Sequence, residues 1–151
     1  MSSICFTIPV SAIPVQGGGK RTMIRNGKPR FFKDKRTSGY ESALYALALP
    51  HRPRTPISGP VHIVLRFIMA RPKTLMRRKD SEGKLPCTKR PDWDNLAKGV
   101  LDPLTKVGFW LDDSQICSAY VEKDYAEKGG AARIEVEITA LPIEHPAPAA
   151  V

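Results

Sequence analysis

The stretch KRPDWDNLAKGVLDPLTKVGFWLDDSQI, residues 89–116, predicts a helix, a turn and the start of a strand. The helix would run from about residue 94 to 107, and its apolar face consists of Leu96, Val100, Leu104 and Val107. Gly108 is well placed to end it, because glycine readily adopts the left-handed conformation that closes helices. Pro103 removes one backbone hydrogen bond, so we expect a kink or an early end there. The stretch therefore predicts a core-packing helix with acidic residues before it and after its turn.

The segments before this stretch predict two strands and a second helix. Residues 3–10 alternate loosely, as a strand does, and residues 61–70 are apolar on both faces, as a central strand would be. Residues 38–49 predict a helix that starts at a capping box of Ser38 and Glu41 and ends at a proline. Its buried face would consist of Tyr40, Ala43, Leu44, Leu47 and Ala48. Residues 15–22, VQGGGKRT, are expected to form a flexible loop, because their glycine spacing does not match a phosphate-binding Walker loop.

Two more strands are predicted after the acidic stretch, QICSAYVEK at 115–123 and ARIEVEITA at 132–140. We expect them to be antiparallel and joined around two glycines, with Ile134, Val136 and Ile138 facing the core. The order β-α-β-α-β-β indicates a small α/β (α+β) domain over residues 1–141, with a mixed sheet of about four strands and two main helices. Residues 142–151 are expected to be a disordered tail.

The positive charge of the chain is concentrated in two segments. The net charge is +9 and the pI is about 9.7. Residues 20–36 hold eight basic residues against one acid, and residues 71–90 hold eight against two, so these segments carry +7 and +6 and the remainder carries −4. We expect both to be loops that contact a phosphate backbone. The alternative is that they are solvated, partly disordered loops without a ligand.

The spacing of the cysteines and the hydropathy of the sequence argue against several classes of protein. Cys5, Cys87 and Cys117 are odd in number, far apart in sequence and without a Cys-x-x-Cys pair, so neither a disulfide framework nor a zinc site is expected. The sequence has no apolar run long enough for a bilayer span, and its start lacks the basic region of a secretory signal. We therefore expect that the protein has no membrane partner and is located in the reducing cytoplasm.

Asp92 and Asp94 stand two residues apart at the predicted start of the helix, with Trp93 between them. One aspartate suffices for a helix cap, whereas two in a short extended segment point at one small region. A helix–turn–strand return could bring Asp112 or Asp113 beside them, although capping alone would also explain aspartates at these positions. Three converging carboxylates without Cys or His suit Mg²⁺ or Mn²⁺, which activates water and steadies the leaving oxygen at a phosphodiester.

Lys98 lies one helical turn after Asp94, on the same face. It could stabilise the charge that develops on a phosphate, or it could pair with Asp94 or Asp102. The residues alone do not decide between these roles. Asp102 is better explained as a surface charge between Lys98 and Lys106 than as a metal ligand.

Residues 90–116 resemble the RusA family of Holliday-junction resolvases, found in bacteria and prophages. The shared pattern is an Asp-x-Asp-Asn-Leu opening, a lysine one turn later and an Asp-Asp-x-Gln close. The resemblance implies that Asp92, Asp94 and Asp113 bind the metal and that Lys98 is important for cleavage. It also implies a homodimer with an α/β fold that cuts four-way DNA junctions with Mg²⁺.

The resulting hypothesis is a Mg²⁺-dependent endonuclease that resolves branched DNA by paired symmetric nicks. Candidate DNA contacts lie in the two basic segments: Lys20, Arg21, Arg77, Arg78, Lys89 and Arg90. Two alternatives stay open, namely a non-catalytic DNA-binding protein and a metal-dependent phosphohydrolase acting on nucleotides.

Overall fold

A computed structural model of the chain describes residues 2–9, 20–33 and 35–143. In chain order the strands and main helices are β1 (Ser3–Pro9), β2 (Lys20–Arg25), β3 (Lys28–Lys33), α1 (Lys35–Ala48), β4 (Val61–Met69), β5 (Leu85–Pro86), α2 (Trp93–Val107), β6 (Ile116–Tyr125) and β7 (Arg133–Ala140). Short 3₁₀ helices lie at Leu49–His51, Lys73–Leu75 and Asp113–Gln115. Residues 144–151, most of the predicted tail, lie outside the described part.

A mixed five-stranded sheet has the order β1-β7-β4-β6-β5, with β4 at its centre. β4 and β6 are parallel, and the other neighbouring pairs are antiparallel. The predicted fold class and the predicted central strand are both confirmed. The last two strands run in opposite directions, as predicted, but they do not pair with each other, because β4 lies between them and pairs with both.

Both helices lie against one face of the sheet, and the hydrophobic core lies between the helices and that face. On β7 the buried residues are Ile134, Val136 and Ile138, as predicted. From α1 the core receives Tyr40, Leu44 and Ala48, and from α2 it receives Leu96, Val100, Leu104 and Val107. The apolar faces read from the helical period are thus the faces that pack, and burial of these faces stabilises both helices.

The start of α1 differs from the prediction, whereas the bounds of α2 agree with it. The first helix begins at Lys35, three residues before Ser38, so the expected capping box is not its start. α2 runs from Trp93 through Pro103 to Val107, so the predicted range of about 94 to 107 is confirmed, and of the two effects expected at Pro103 the early end is wrong. Gly108 ends α2 with φ of 97°, and its N–H donates to the carbonyls of Leu104 and Thr105, as expected for a left-handed closing residue.

Residues 20–33 form a hairpin rather than part of a basic loop, so that expectation is wrong. β2 and β3 pair antiparallel across a two-residue turn of Asn26 and Gly27. Both turn residues have positive φ, 54° and 70°, which is the backbone that Asn-Gly supplies most easily in tight hairpins. The Asn-Gly pair was therefore the available sequence signal. Residues 15–19 of the expected flexible loop lie outside the described part.

The crossover from β4 through α2 to β6 sets the direction of α2. Lys123 of β6 pairs with Phe67 of β4, and its ammonium group donates to the carbonyl of Pro91 at 2.9 Å, just before α2. At the other end, the Gln115 amide donates to the carbonyls of Ile57 and Gly59, just before β4, at 2.8 Å each. Thus α2 begins near the carboxyl ends of the two parallel strands and returns to their starts.

None of the helices in the described ranges has the length and apolar composition that a membrane crossing requires.

Replacing Leu104 with alanine should lower the free energy of unfolding by about 2–5 kcal/mol, because its side chain is fully buried between α2 and the sheet. Urea denaturation followed by circular dichroism measures this. Leu111→Ala is the control: that leucine is 67% exposed, and its loss should change the stability by less than about 0.5 kcal/mol. Equal losses in the two variants would contradict this description of the core.

Candidate acidic site and basic surfaces

Asp92 and Asp94 are presented together at the start of α2. Asp92 occupies the N-cap position with extended backbone (φ −68°, ψ 149°), yet its carboxylate accepts no capping hydrogen bond. Asp94 lies in the first turn, and both side chains are exposed. Neither makes a hydrogen bond or ion pair with another described residue. Capping by these side chains therefore does not explain the pair, although the helix dipole favours negative charge at this end.

Lys98 is exposed one turn further along α2. Among the described residues it forms no ion pair, either with Asp94 or with Asp102. Of the two roles left open by the sequence, pairing with a neighbouring aspartate is therefore not supported. The ammonium group remains available to an external anion.

Asp112 and Gln115 have structural roles in the turn that precedes β6. The Asp112 carboxylate accepts from the Ser114 N–H at 2.8 Å. Hydrogen bonds from the Ser114 side chain and from this N–H hold the pKa of Asp112 below its usual value. The Gln115 side-chain oxygen accepts from the N–H groups of Leu111 and Asp112, which completes a capping box. With its two bonds to the residues before β4, the Gln115 side chain makes four hydrogen bonds and joins this turn to the sheet.

Asp113 is exposed and begins the 3₁₀ helix Asp113–Gln115. Because α2 has 15 residues, it is about 22 Å long, and Asp113 follows its far end. The return through the turn therefore does not bring Asp113 beside Asp92 and Asp94 within one chain. Consistent with this, residues 2–9, 20–33 and 35–143 contain no group of three His, Cys, Asp or Glu side chains placed to hold a metal ion. The assignment of these three aspartates as metal ligands stays a prediction.

The chemistry of the acidic pair nonetheless fits a hard divalent cation. Two exposed carboxylates two residues apart, without internal partners, offer only oxygen ligands. Such ligands suit Mg²⁺ or Mn²⁺ better than zinc. Two carboxylates form an incomplete site, so further ligands must come from water, substrate or another chain.

The basic segment at residues 71–84 is organised by two cations that point inward. The Arg71 guanidinium donates to the carbonyls of Leu75, Ser81 and Gly83. The Lys128 ammonium group donates to the carbonyls of Arg77 and Asp80 and to the Glu82 carboxylate, and only 13% of its side chain is exposed. These bonds stabilise one loop shape, so Arg71 is a structural cation and not a surface contact.

The predicted DNA contacts occupy different environments. The Arg77 guanidinium pairs with Asp80, which lowers the pKa of that carboxyl, whereas Arg78 is exposed. Lys89 and Arg90 are exposed directly before Asp92, beside the acidic pair. The predicted contacts on β2, Lys20 and Arg21, lie on a described strand, but their side chains do not belong to the described part.

An exposed acidic pair beside basic segments is typical of proteins that act on phosphodiesters. Residues 13–139 match the model of the family described as Endodeoxyribonuclease RusA. Over 139 residues the chain is 34% identical to Uncharacterized protein YqaN of Bacillus subtilis (strain 168), which covers 89% of this chain and 95% of that protein. The chain therefore belongs to the RusA endodeoxyribonuclease family. The predicted enzyme class, a nuclease, is confirmed, and the non-catalytic alternative is not supported.

Shorter matches link the chain to relatives named for their substrate. It is 47% identical over 60 residues to Crossover junction endodeoxyribonuclease RusA of Escherichia coli (strain K12). The protein of the same name from Enterobacteria phage 82 matches to the same extent. These alignments cover 40% of this chain and 48% of each relative, so they span about half the length of those proteins.

Sequence reasoning missed the polar residues that organise the site. Gln115 stood in the quoted motif, but its hydrogen bonds join residues that are more than 50 positions apart. Arg71 and Lys128 were indistinguishable from other cations by composition. The exposure of Trp93, at 59%, was not predicted either, although an indole between two aspartates was visible in the sequence.

Replacing Asp112 with alanine should lower the melting temperature more than replacing Asp92, because only the Asp112 carboxylate accepts a capping bond. Thermal unfolding in EDTA at pH 7 measures both variants. The folded pKa of Asp112 is lowered from the usual 3.8, so its contribution is fully present at pH 7 and is lost as the pH falls through the folded value. A larger fall for Asp92→Ala at pH 7 would show that Asp92 caps α2 after all.

Proposed function

We propose that this chain is a divalent-metal-dependent endonuclease that resolves four-way DNA junctions by paired nicks. The observation that carries the proposal is the pair of unpartnered carboxylates at the start of α2, in a chain of the RusA family. The relatives named crossover junction endodeoxyribonuclease support the choice of junctions as the substrate.

Asp92, Asp94 and Asp113 are the proposed metal ligands, with Mg²⁺ as the expected cation and Mn²⁺ as a substitute. A divalent cation held by these carboxylates would supply charge stabilisation at the phosphodiester and a nucleophilic water at neutral pH. Lys98 contributes a positive charge that is not committed to a neighbouring aspartate, and it would stabilise the negative charge of the transition state. Lys89 and Arg90 would hold the adjacent phosphates.

The separation of Asp113 from the other two aspartates supports a homodimer. Within one chain α2, which is about 22 Å long, separates its own start from the turn that carries Asp113. In a two-fold dimer the Asp113 end of one copy can face the Asp92 end of the other, and symmetry then produces two equal sites. A four-way junction is itself two-fold symmetric and requires two matched cuts. We therefore propose that each metal site takes Asp92 and Asp94 from one copy and Asp113 from its partner.

The ordered basic loop would bind the arms of the junction. Arg71 and Lys128 give residues 71–84 a defined shape through their bonds to main-chain carbonyls, which leaves Arg78 and Lys79 exposed on its outside. Cations on a preformed surface contact phosphates without first losing conformational entropy. Such binding reads the shape and backbone of DNA and weakens as salt is added.

Replacing Arg78 with glutamine should reduce the steepness of the salt dependence of junction binding by about one unit in the slope of log K against log salt. Fluorescence anisotropy in EDTA measures binding at several salt concentrations. Lys106→Gln is the control, because Lys106 lies near the end of α2 and already pairs with Glu41 at 3.4 Å. An unchanged slope in Arg78→Gln would remove this residue from the DNA surface.

Asp92→Asn, Asp94→Asn and Asp113→Asn should each reduce junction cleavage by a factor of about 100 or more, since metal affinity and catalysis depend on the charged ligand. Junction binding in EDTA should persist or tighten, because negative charge facing the DNA is removed. Cleavage of labelled four-way junction, linear duplex and single strand is measured side by side over a Mg²⁺ titration. Undiminished junction cleavage by Asp92→Asn, or turnover of free nucleotides instead of DNA, would sink the proposal.

A complementation experiment tests the sharing of sites between copies. In a mixed dimer of Asp92→Asn and Asp113→Asn chains, a shared arrangement leaves one site with all three native aspartates, so nicking returns. If each site belonged to a single chain, both sites of the mixed dimer would be damaged. A mixture of Asp92→Asn with Asp94→Asn is the matched control, because in it neither shared site is intact and no nicking should return.

A further inference from the structure

The side chain of Lys123 connects β6 to the segment that leads into the acidic pair. Its ammonium group donates to the carbonyl of Lys89 and, at 2.9 Å, to the carbonyl of Pro91. The main-chain carbonyl of the same residue accepts from the Cys87 N–H at 3.0 Å. One residue of a paired strand thus holds the chain at three points between residues 87 and 91, immediately before Asp92.

We propose that Lys123 is a positioning residue that sets the metal affinity of the site by holding residues 87–91 in place. This inference rests on the proposed function, because it concerns the same aspartates. Lys123 acts through the main chain before Asp92 and has no role as a ligand or as a DNA contact.

The need for such a residue follows from the surroundings of the acidic pair. The carboxylates of Asp92 and Asp94 have no hydrogen-bond or ion-pair partner among the described residues, so these side chains are placed only by the main chain that carries them. On the helix side that main chain is anchored by Leu96, which is buried in the core. On the other side Lys89 and Arg90 are exposed, and Lys123 supplies the anchor.

The environment of Lys123 suits a fixed role. β6 pairs with β4 along its length, so the residue stands on a rigid strand. The side chain is half-buried, and hydrogen bonds from an ammonium group are stronger than those between neutral groups. Groups that orient metal ligands without touching the metal typically change its affinity by a factor of about 10–100 when they are removed.

Lys128 offers a matched comparison within the same molecule. It is also a lysine whose ammonium group donates to two main-chain carbonyls, but it holds the basic loop at residues 71–84 and not the approach to Asp92. Loss of the two lysines should therefore have opposite effects. Lys123→Met should weaken metal binding more than DNA binding, and Lys128→Met should do the reverse.

The test measures metal binding without any cleavage step. Trp93 is 59% exposed between the two aspartates, whereas the other tryptophan, Trp110, is 1% exposed and its indole N–H donates a hydrogen bond to the Thr105 hydroxyl. Quenching of Trp93 fluorescence by Mn²⁺ therefore reports on the acidic pair. In Lys123→Met the half-saturating Mn²⁺ concentration should rise about tenfold, and this factor should exceed the factor by which junction affinity in EDTA falls. Lys123→Arg, which keeps the positive charge and the ability to donate to both carbonyls, should recover most of the metal affinity.

Hydrogen exchange of the full-length protein, without metal or DNA, gives a second readout. Exchange at residues 87–94 should quicken in Lys123→Met while residues 71–84 stay unchanged, and Lys128→Met should show the opposite pattern. Unchanged exchange and unchanged Mn²⁺ quenching in a folded Lys123→Met protein would overturn the inference, as would equal effects from both lysine variants. If the wild-type protein cuts no junction, the proposed function fails, whereas the exchange pattern still decides whether Lys123 holds this segment.

Discussion

The parallel pairing of β4 and β6 is the constraint on which the arrangement of this protein depends. A chain that leaves one strand and enters a parallel neighbour must first run back along the full length of the strands, and here α2 makes that connection. Its apolar face, with Val100 and Leu104 fully buried, keeps the helix against the sheet along its length. The two ends of α2 are consequently fixed at opposite ends of these parallel strands, and so are the acidic residues that precede and follow it.

Polar residues in this fold divide into two groups by whether their hydrogen bonds are already made. Gln115, Arg71, Lys128 and Lys123 each donate to two or more main-chain carbonyls, so they hold loops in place. By contrast, the side chains of Asp92, Asp94 and Lys98, at the N-cap and in the first turns of α2, have no partners among the described residues. Side chains that the fold leaves without partners at an exposed helix start are available to substrate and cation, which is why we propose the second group for binding and catalysis.

What the sequence could predict was local or periodic. The buried faces of both helices, the central strand, the end of α2 at Gly108 and the acidic pair all follow from spacing within one element. The hairpin of β2 and β3 was missed although Asn26 and Gly27 signalled it, because the density of charge suggested a loop. The separation of β6 from β7, and of Asp113 from Asp92, depends on which strands pair across long sequence distances, and no local pattern encodes that. Likewise, composition counts Arg71 and Arg78 equally, although only one of them is committed to main-chain carbonyls.

The length of α2 has a consequence for how the chain can vary. Under the shared-site proposal, the length of this helix sets the spacing between the two metal sites of a dimer, and hence between the two phosphates that are cut. Surface loops can gain or lose residues at little cost. Insertion or deletion of one helical turn in α2 would change that spacing by about 5.4 Å, and no other part of the chain would compensate for the change. Length variation among homologues should therefore be concentrated in the hairpin and the basic loop, and rare between Trp93 and Val107.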